Sequence, residues 1–330
     1  MTMKFASLAM LLAVAAPAVK ADLVITDPTN SYRVGIGPNG ELYSNDAGIG
    51  FLRSDGYDPL APSVPRDSWG VATASGAAYA DFWGYGDAGV ASTVTSTANT
   101  ARYVTTTANA TLFAGGTGDL GLTVTQDYAF AAPNILSITT TLVNTSGSDL
   151  ANVLFQRNID WDVAPTQFAE ISFGAAVSGN VIDSSYQGFE NPDPSAPYAF
   201  SMAGGGTFGP DDLGGGIKIN LGTLAANAST SFQYLYGINA AGESTAGLIA
   251  QVSGIGGPNT YYVATENGSC TAGTNPLCGI AVGTNSAVIA VAPAQTNGVD
   301  NPVPEPGAWP LVGLALGIAG IRGGPRQRSA

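Results

Sequence analysis

Residues 122–142 read LTVTQDYAFAAPNILSITTTL, and their alternation decides the fold class. Leu122, Val124, Tyr128 and Phe130 fall on one side of an extended chain, with Thr123, Thr125 and Asp127 on the other. Leu136, Ile138 and Leu142 alternate with Ser137, Thr139 and Thr141 in the same way. A period of two is the mark of a half-buried strand. Working outward, Ile217, Ile219 and Leu221 alternate with Lys218 and Asn220, and Phe232, Tyr234, Tyr236 and Ile238 form another strand face. A further strand is expected over Val153–Val163. Turn clusters separate these runs: Asn144–Gly147, Asn191–Pro194, Gly204–Gly206 and Gly214–Gly216. Helical periodicity is nearly absent, and with only three lysines there are no long Leu/Glu/Lys/Arg stretches. The body therefore reads as all-β, a large antiparallel β-sandwich with threonine-rich outer faces. No fixed-period repeat is visible, which argues against a propeller or β-helix.

The ends differ from the body. Lys4 followed by the apolar run Phe5–Ala16 and small residues at Ala18 and Ala21 reads as a secretory signal helix. Twelve residues rise only about 18 Å as a helix, against a bilayer core of roughly 30 Å. Residues 1–21 are the expected signal peptide, cut after Ala21 or after Ala18, and residues 22–298 the sandwich. Residues 299–330 form a linker and tail: Pro304-Glu305-Pro306, a fifteen-residue uncharged run over 307–321, then Arg322, Arg326 and Arg328 within a basic end over 322–328. Proline stops preceding structure, the apolar run is a hydrophobic helix able to enter a bilayer, and the arginines hold its end in the cytoplasm.

This order resembles the PEP-CTERM protein-sorting domain of Gram-negative bacteria. Pro304, Glu305, Pro306, the glycine-rich apolar run and Arg322, Arg326 and Arg328 carry the likeness, which covers only the last 28 residues or so. Pro310 near the start of the run and the glycines between the arginines depart from the family pattern. The resemblance implies an exosortase substrate: export, transient inner-membrane tethering by the C-terminal helix, cleavage near Pro-Glu-Pro, and a final place at the cell surface or outside it. It also associates the chain with exopolysaccharide and biofilm. Signal peptidase and exosortase are then the export partners.

Composition narrows function further. All 24 acidic residues lie between Asp22 and Glu305, where only six basic residues remain, so the exported part carries −18 against −13 for the whole chain. That charge argues against a nucleic-acid partner. The chain has no histidine, which removes imidazole-based catalytic units and His-ligated metals. A loose likeness to sandwiches of the galactose-mutarotase type carries no function, since that chemistry needs a histidine. At 11% charged and 45% hydrophobic residues, the chain is not a disordered acidic tail. Cys270 and Cys278 are the only cysteines, and in an exported protein they are expected to close one surface loop as a disulfide.

Two groups of residues are candidates for chemistry. Asn158, Asp160 and Asp162 alternate with Ile159, Trp161 and Val163, and three oxygen-bearing side chains in a row suit calcium. The same carboxylates admit a glycan hydrolase, and Arg157 in the inward-facing series is expected to pair with a core carboxylate. No cofactor beyond calcium is expected. Trp69, Trp83 and Tyr85 lie in an aromatic run rich in glycine and flanked by Asp81 and Asp87. Exposed rings beside acids stack on sugars, and buried rings make a core; both readings stand. Asp55, Asp58, Asp211 and Asp212 read as turn residues. Sequons at Asn109, Asn144, Asn227 and Asn267 are read as turn composition before glycan acceptors. The leading expectation is a non-enzymatic structural or adhesive protein of the cell surface or matrix, with polysaccharide or calcium binding as the alternative.

Overall fold

A computed structural model describes residues 22–62, 64–165, 168–268 and 285–295. The signal segment, Cys270, Cys278 and the whole sorting segment lie outside these residues. Among the described residues no helix is long and apolar enough to cross a membrane.

The fold is all-β, built from three antiparallel sheets. A small N-terminal sheet holds β1 (Leu23–Thr26), β2 (Tyr32–Ile36) and β3 (Phe51–Arg53). A seven-stranded sheet runs β14 (Val181–Ser185), β16 (Gly214–Leu224), β12 (Leu150–Asp160), β4 (Asp67–Thr73), β5 (Gly76–Asp81), β8 (Ala110–Leu112) and β9 (Thr117–Gly118). Against it lies a nine-stranded sheet in the order β15 (Gly206–Asp211), β13 (Glu170–Gly174), β18 (Tyr261–Asn267), β19 (Ser286–Gln295), β17 (Ser229–Ile238), β11 (Ile135–Asn144), β10 (Leu122–Ala132), β7 (Thr100–Thr106) and β6 (Ala91–Ser96).

The alternating stretch at 122–142 sits near the middle of the larger sheet. β10 and β11 pair antiparallel from Leu122–Asn144 to Phe130–Leu136 before slipping by a residue. Leu122, Val124, Tyr128, Leu136, Ile138 and Leu142 are buried, as the period of two requires. They join one core with Tyr234 and Tyr236 of the same sheet and with Trp69, Phe155, Ile217 and the nearby Trp161 of the facing layer. Large rings fill the space between sheets that many small residues leave open: Phe155 stacks on Trp69 at 5.8 Å and meets Phe232 edge-on at 5.1 Å.

Several expectations need correction. Gly214–Gly216 is strand, not turn. A Cβ on Gly214 would lie 2.2 Å from the Ile159 carbonyl oxygen, and one on Gly215 2.9 Å from Ile289, so the glycines let sheets and strands approach closely. The strand expected over Val153–Val163 starts at Leu150 and ends at Asp160. Its two faces are not divided into wet and dry, since Asn158 to Val163 are all buried. A helix that the periodicity did not announce, α1 (Thr245–Gly256), covers the outer face of the nine-stranded sheet. Leu248 and Val252 pack there on Ile135, Leu235, Ala264, Val288 and Ala290. The Ser244 side chain caps it, accepting from the Gly247 N–H at 3.2 Å.

Candidate functional site

The aromatic run is divided between core and surface. Trp69, on central strand β4, is fully buried, and its Nε1 donates to the Asn39 carbonyl at 2.9 Å. It leaves the expected set of stacking rings and becomes a support. Trp83 and Tyr85, in the loop after β5, are 55% and 54% exposed. Phe189, which the sequence reading did not single out, joins them at 37%.

A buried ion pair lies beneath two of these rings, Tyr85 and Phe189. Arg66, at the entry to β4, is 1% exposed, and its guanidinium donates to both carboxylate oxygens of Asp81 at 3.1 and 3.3 Å. It also donates to the Glu190 carbonyl at 2.8 Å, tying the loop after β14 to the loop after β5. The Tyr85 ring lies 5.5 Å from the Arg66 Cζ and the Phe189 ring 5.0 Å, so the cation sits between two aromatic faces.

Local sequence explains the loop. Gly84 at φ +121° and Gly86 at φ +71° allow turns that other residues resist. The Tyr85 N–H donates to Asp81 at 2.6 Å. Asp87 accepts from the Asn39 side chain at 2.5 Å and from the Asp81 N–H at 3.3 Å. Trp69, Asn39 and Asp87 thus anchor the loop from below. Glu190, 2% exposed, braces the other loop by accepting from Ser185, Ala199 and Phe200. Burial pushes the Asp81 carboxyl up, with Arg66 pulling it down. The result is two exposed rings on a buried charged base, with the exposed Trp83 in the same loop as Tyr85, and such rings can stack against a flat apolar face such as that of a sugar.

The side chains of the expected calcium trio, Asn158, Asp160 and Asp162, are all buried. The Asn158 side-chain amide is spent, donating to Ser68 at 3.2 Å and accepting from the Tyr198 hydroxyl at 2.9 Å. Among the described residues no three His, Cys, Asp or Glu side chains are set to hold a metal ion. Asp160 and Asp162 are buried at 4% and 2% exposure. Burial pushes the Asp160 carboxyl well above the usual range, and Asp212, Asp162 and Glu170 add to the rise. Its backbone N–H donates to the Arg66 carbonyl at 2.9 Å, and Gly188 lies against its Cα. Glu170, pushed up to about 7 by burial, accepts from the Val163 and Phe168 N–H groups.

Arg157 does pair with a core carboxylate. It meets Asp67 at 2.5 Å with both side chains fully buried. It also donates to Gln126 at 2.9 Å and to the Gly40 carbonyl at 3.1 Å. Tyr236 and the Leu42 N–H complete the Asp67 shell at 2.9 and 2.7 Å. Burial opposes the Arg157 charge, but Asp67 holds it protonated. This network is internal and cross-links the two large sheets.

The turn readings divide: Asp55, Asn109, Asn227 and Asp212 lie in turns or bends, whereas Asn144, Asp211 and Asn267 are the last residues of β11, β15 and β18. Asp58 accepts from Gly50, Phe51, Leu60 and Ala61 N–H groups. The Asn144 side-chain nitrogen donates to the Leu224 and Ala225 carbonyls, and that of Asn267 to the Val163 carbonyl. Both are structural uses of the atom a glycan would occupy. A cavity of about 510 Å³ lined by Ser178, Asn180, Thr260 and Tyr261 contains no expected site residue and no charged side chain.

No protein-family model matches the chain, and no curated protein matches it.

Proposed function

We propose that this chain is an exported, non-catalytic β-sandwich that binds polysaccharide and works at the cell surface or in the extracellular matrix. One observation carries the binding part: three exposed rings on two neighbouring loops, Trp83, Tyr85 and Phe189, of which Tyr85 and Phe189 lie over the buried Arg66 of the Arg66–Asp81 pair. Pre-set rings lose little conformational entropy on stacking. A non-catalytic role is favoured because the carboxyls most suited to holding a proton at neutral pH, Glu41, Asp160 and Glu170, are all buried. A polymer's glycosidic oxygen must lie within hydrogen-bond reach of its general acid.

The export part rests on the resemblance of residues 304–328 to the PEP-CTERM sorting domain, with exosortase and signal peptidase as processing partners. An acidic body carrying −18 stays soluble in a hydrated matrix.

Affinity electrophoresis through gels cast with bacterial exopolysaccharides or neutral glucans tests the platform. We expect the parent chain to be retarded in at least one gel. Trp83→Ala and Tyr85→Ala should each weaken retardation about tenfold, matching the roughly 1–2 kcal/mol of a lost ring contact. Their thermal midpoints should stay near that of the parent, because both rings are exposed. Equal mobility of parent and variants in every gel would sink the polysaccharide reading.

A further inference from the structure

The free edges of the two large sheets are not alike. At one end of the nine-stranded sheet, β15 carries Pro210 and Asp211, and its pairing with β13 slips between Glu170 and Ser172. In the seven-stranded sheet, β14 slips between Val181 and Asp183, and the Ser184 carbonyl already accepts from the Met202 N–H at 2.7 Å. β9 is two residues long. Proline, charge, bulges, cover and shortness all stop a sheet from adding another strand.

Among the described residues, β6 has none of these along its six positions. It reads Ala91-Ser-Thr-Val-Thr-Ser96, without proline or charge, and pairs with β7 over all six residues with no slip. Thr97 N–H donates to the Thr100 carbonyl at 2.9 Å, which marks that pair as hydrogen-bonded. Alternation back along an antiparallel ladder then turns the polar groups of Thr95, Thr93 and Ala91 toward β7. The amides and carbonyls of Ser92, Val94 and Ser96 face the open side. Val94 packs its side chain against the main core, whereas Thr93 and Thr95 are exposed.

The stretch Ser92-Thr-Val-Thr-Ser96 reads the same in both directions. Laid antiparallel on a second copy about Val94, Ser92 of one strand faces Ser96 of the other, Thr93 faces Thr95, and Val94 faces Val94. Every residue with open-side polar groups meets another such residue, so the ladder closes without a mismatch. Hydroxyl-bearing and β-branched pairs are favourable across strands, and no like charges oppose each other. The nearest charges, Arg102 and Asp127 on β7 and β10, are already paired at 2.5 Å.

We propose that β6 is a self-association edge: two copies of this chain pair through residues 92–96 about a twofold axis at Val94, joining their nine-stranded sheets. The contact is isologous and closes after two copies. It is independent of the ring platform and of the sorting segment. Because each body is strongly acidic, pairing should tighten as salt screens repulsion between the copies.

Sedimentation velocity on the full chain in non-ionic detergent, across a concentration series, tests this. We expect a reversible monomer–dimer equilibrium. Val94→Pro removes an amide that faces the open side, so the β6–β7 ladder keeps its bonds. It should raise the dimer dissociation constant at least tenfold with little change in thermal midpoint. Under mild oxidation, Val94→Cys should give a 94–94 disulfide between copies, located by mass spectrometry. Hydrogen-bonded antiparallel partners stand about 5.5 Å apart at Cα, within disulfide range. Thr93→Cys, whose partner is Thr95, should not link to itself. A parent chain that is monomeric at every concentration overturns the proposal. So does a dimer that survives Val94→Pro and forms no 94–94 link.

Discussion

Single side chains decide more here than their number suggests. Glu41 is 3% exposed, and burial, with help from Asp87, pushes its carboxyl up to about 8. Its carboxylate orders the local backbone by accepting the Asn39 N–H at 2.9 Å and its own backbone N–H. Between about pH 4.5, where an unfolded glutamate titrates, and about pH 8, the folded chain holds a proton that the unfolded chain has lost. Stability from this group is therefore full below pH 4.5, falls as pH rises through about 8, and is level above it. Glu41→Gln keeps an acceptor for Asn39 and removes the ionisation. We expect it to flatten the decline measured by thermal melting from pH 4 to pH 9, gaining about 5 kcal/mol over the parent at pH 9. A parallel decline in both proteins would show that Glu41 is not its source. Arg157 was legible at this scale, since a lone arginine in an inward-facing series needs a buried acid. Asp67 as its partner was not, because the two are 90 residues apart and meet only through the β4–β12 pairing. Phe189 was hidden for a similar reason: nothing in Gly188-Phe-Glu190 says that Arg66 will draw it beside Tyr85.

Elements were legible wherever one face met the core and the other met water. β10, β11 and β17 carry mostly apolar inward faces, with Thr140 and Thr230 buried among them, and β10 shows how a buried polar residue fits: Gln126 sits on the inward face and receives Arg157. Reading failed where that division disappears. β12 is buried on both faces at its end, so alternation there marks strand but not environment. α1 is short and built largely of Ala, Gly and Ser around two anchoring residues, Leu248 and Val252, too few to show a helical stripe. The same poverty makes it the weaker layer. Leu248→Ala should cost about 2–4 kcal/mol at that contact. Hydrogen exchange should rise over residues 245–256 while the amides of β10 and β11 stay protected. Unchanged exchange across the helix would mean that Leu248 is not what holds it.

At the scale of the whole molecule, sequence supplied the class of fold and left the strand order open. Central strand β4 joins β12 to β5 although some 80 residues separate it from β12, and no local pattern encodes such a partner. The sorting reading also belongs here, because it concerns the chain as cargo. We expect Glu305→Ala, or deletion of Arg322–Arg328, to leave a larger, membrane-bound form on immunoblots of cell fractions, whereas the parent is processed and released. Identical size and location for all three would end that reading.

The position of β19 sets a timetable. It is the last described strand in the chain, yet it lies inside the larger sheet, bonded to β17 on one side and β18 on the other. Until residues 286–295 arrive, those two neighbours have open edges and the sheet stands in two pieces. A chain threaded through a membrane pore with its N-terminus leading would reach this point only about a dozen residues before the apolar run at 307 enters. Under the export route proposed above, completion of the sheet would almost coincide with arrival of the apolar run, so the body would pass as two open-edged pieces and close as passage ends.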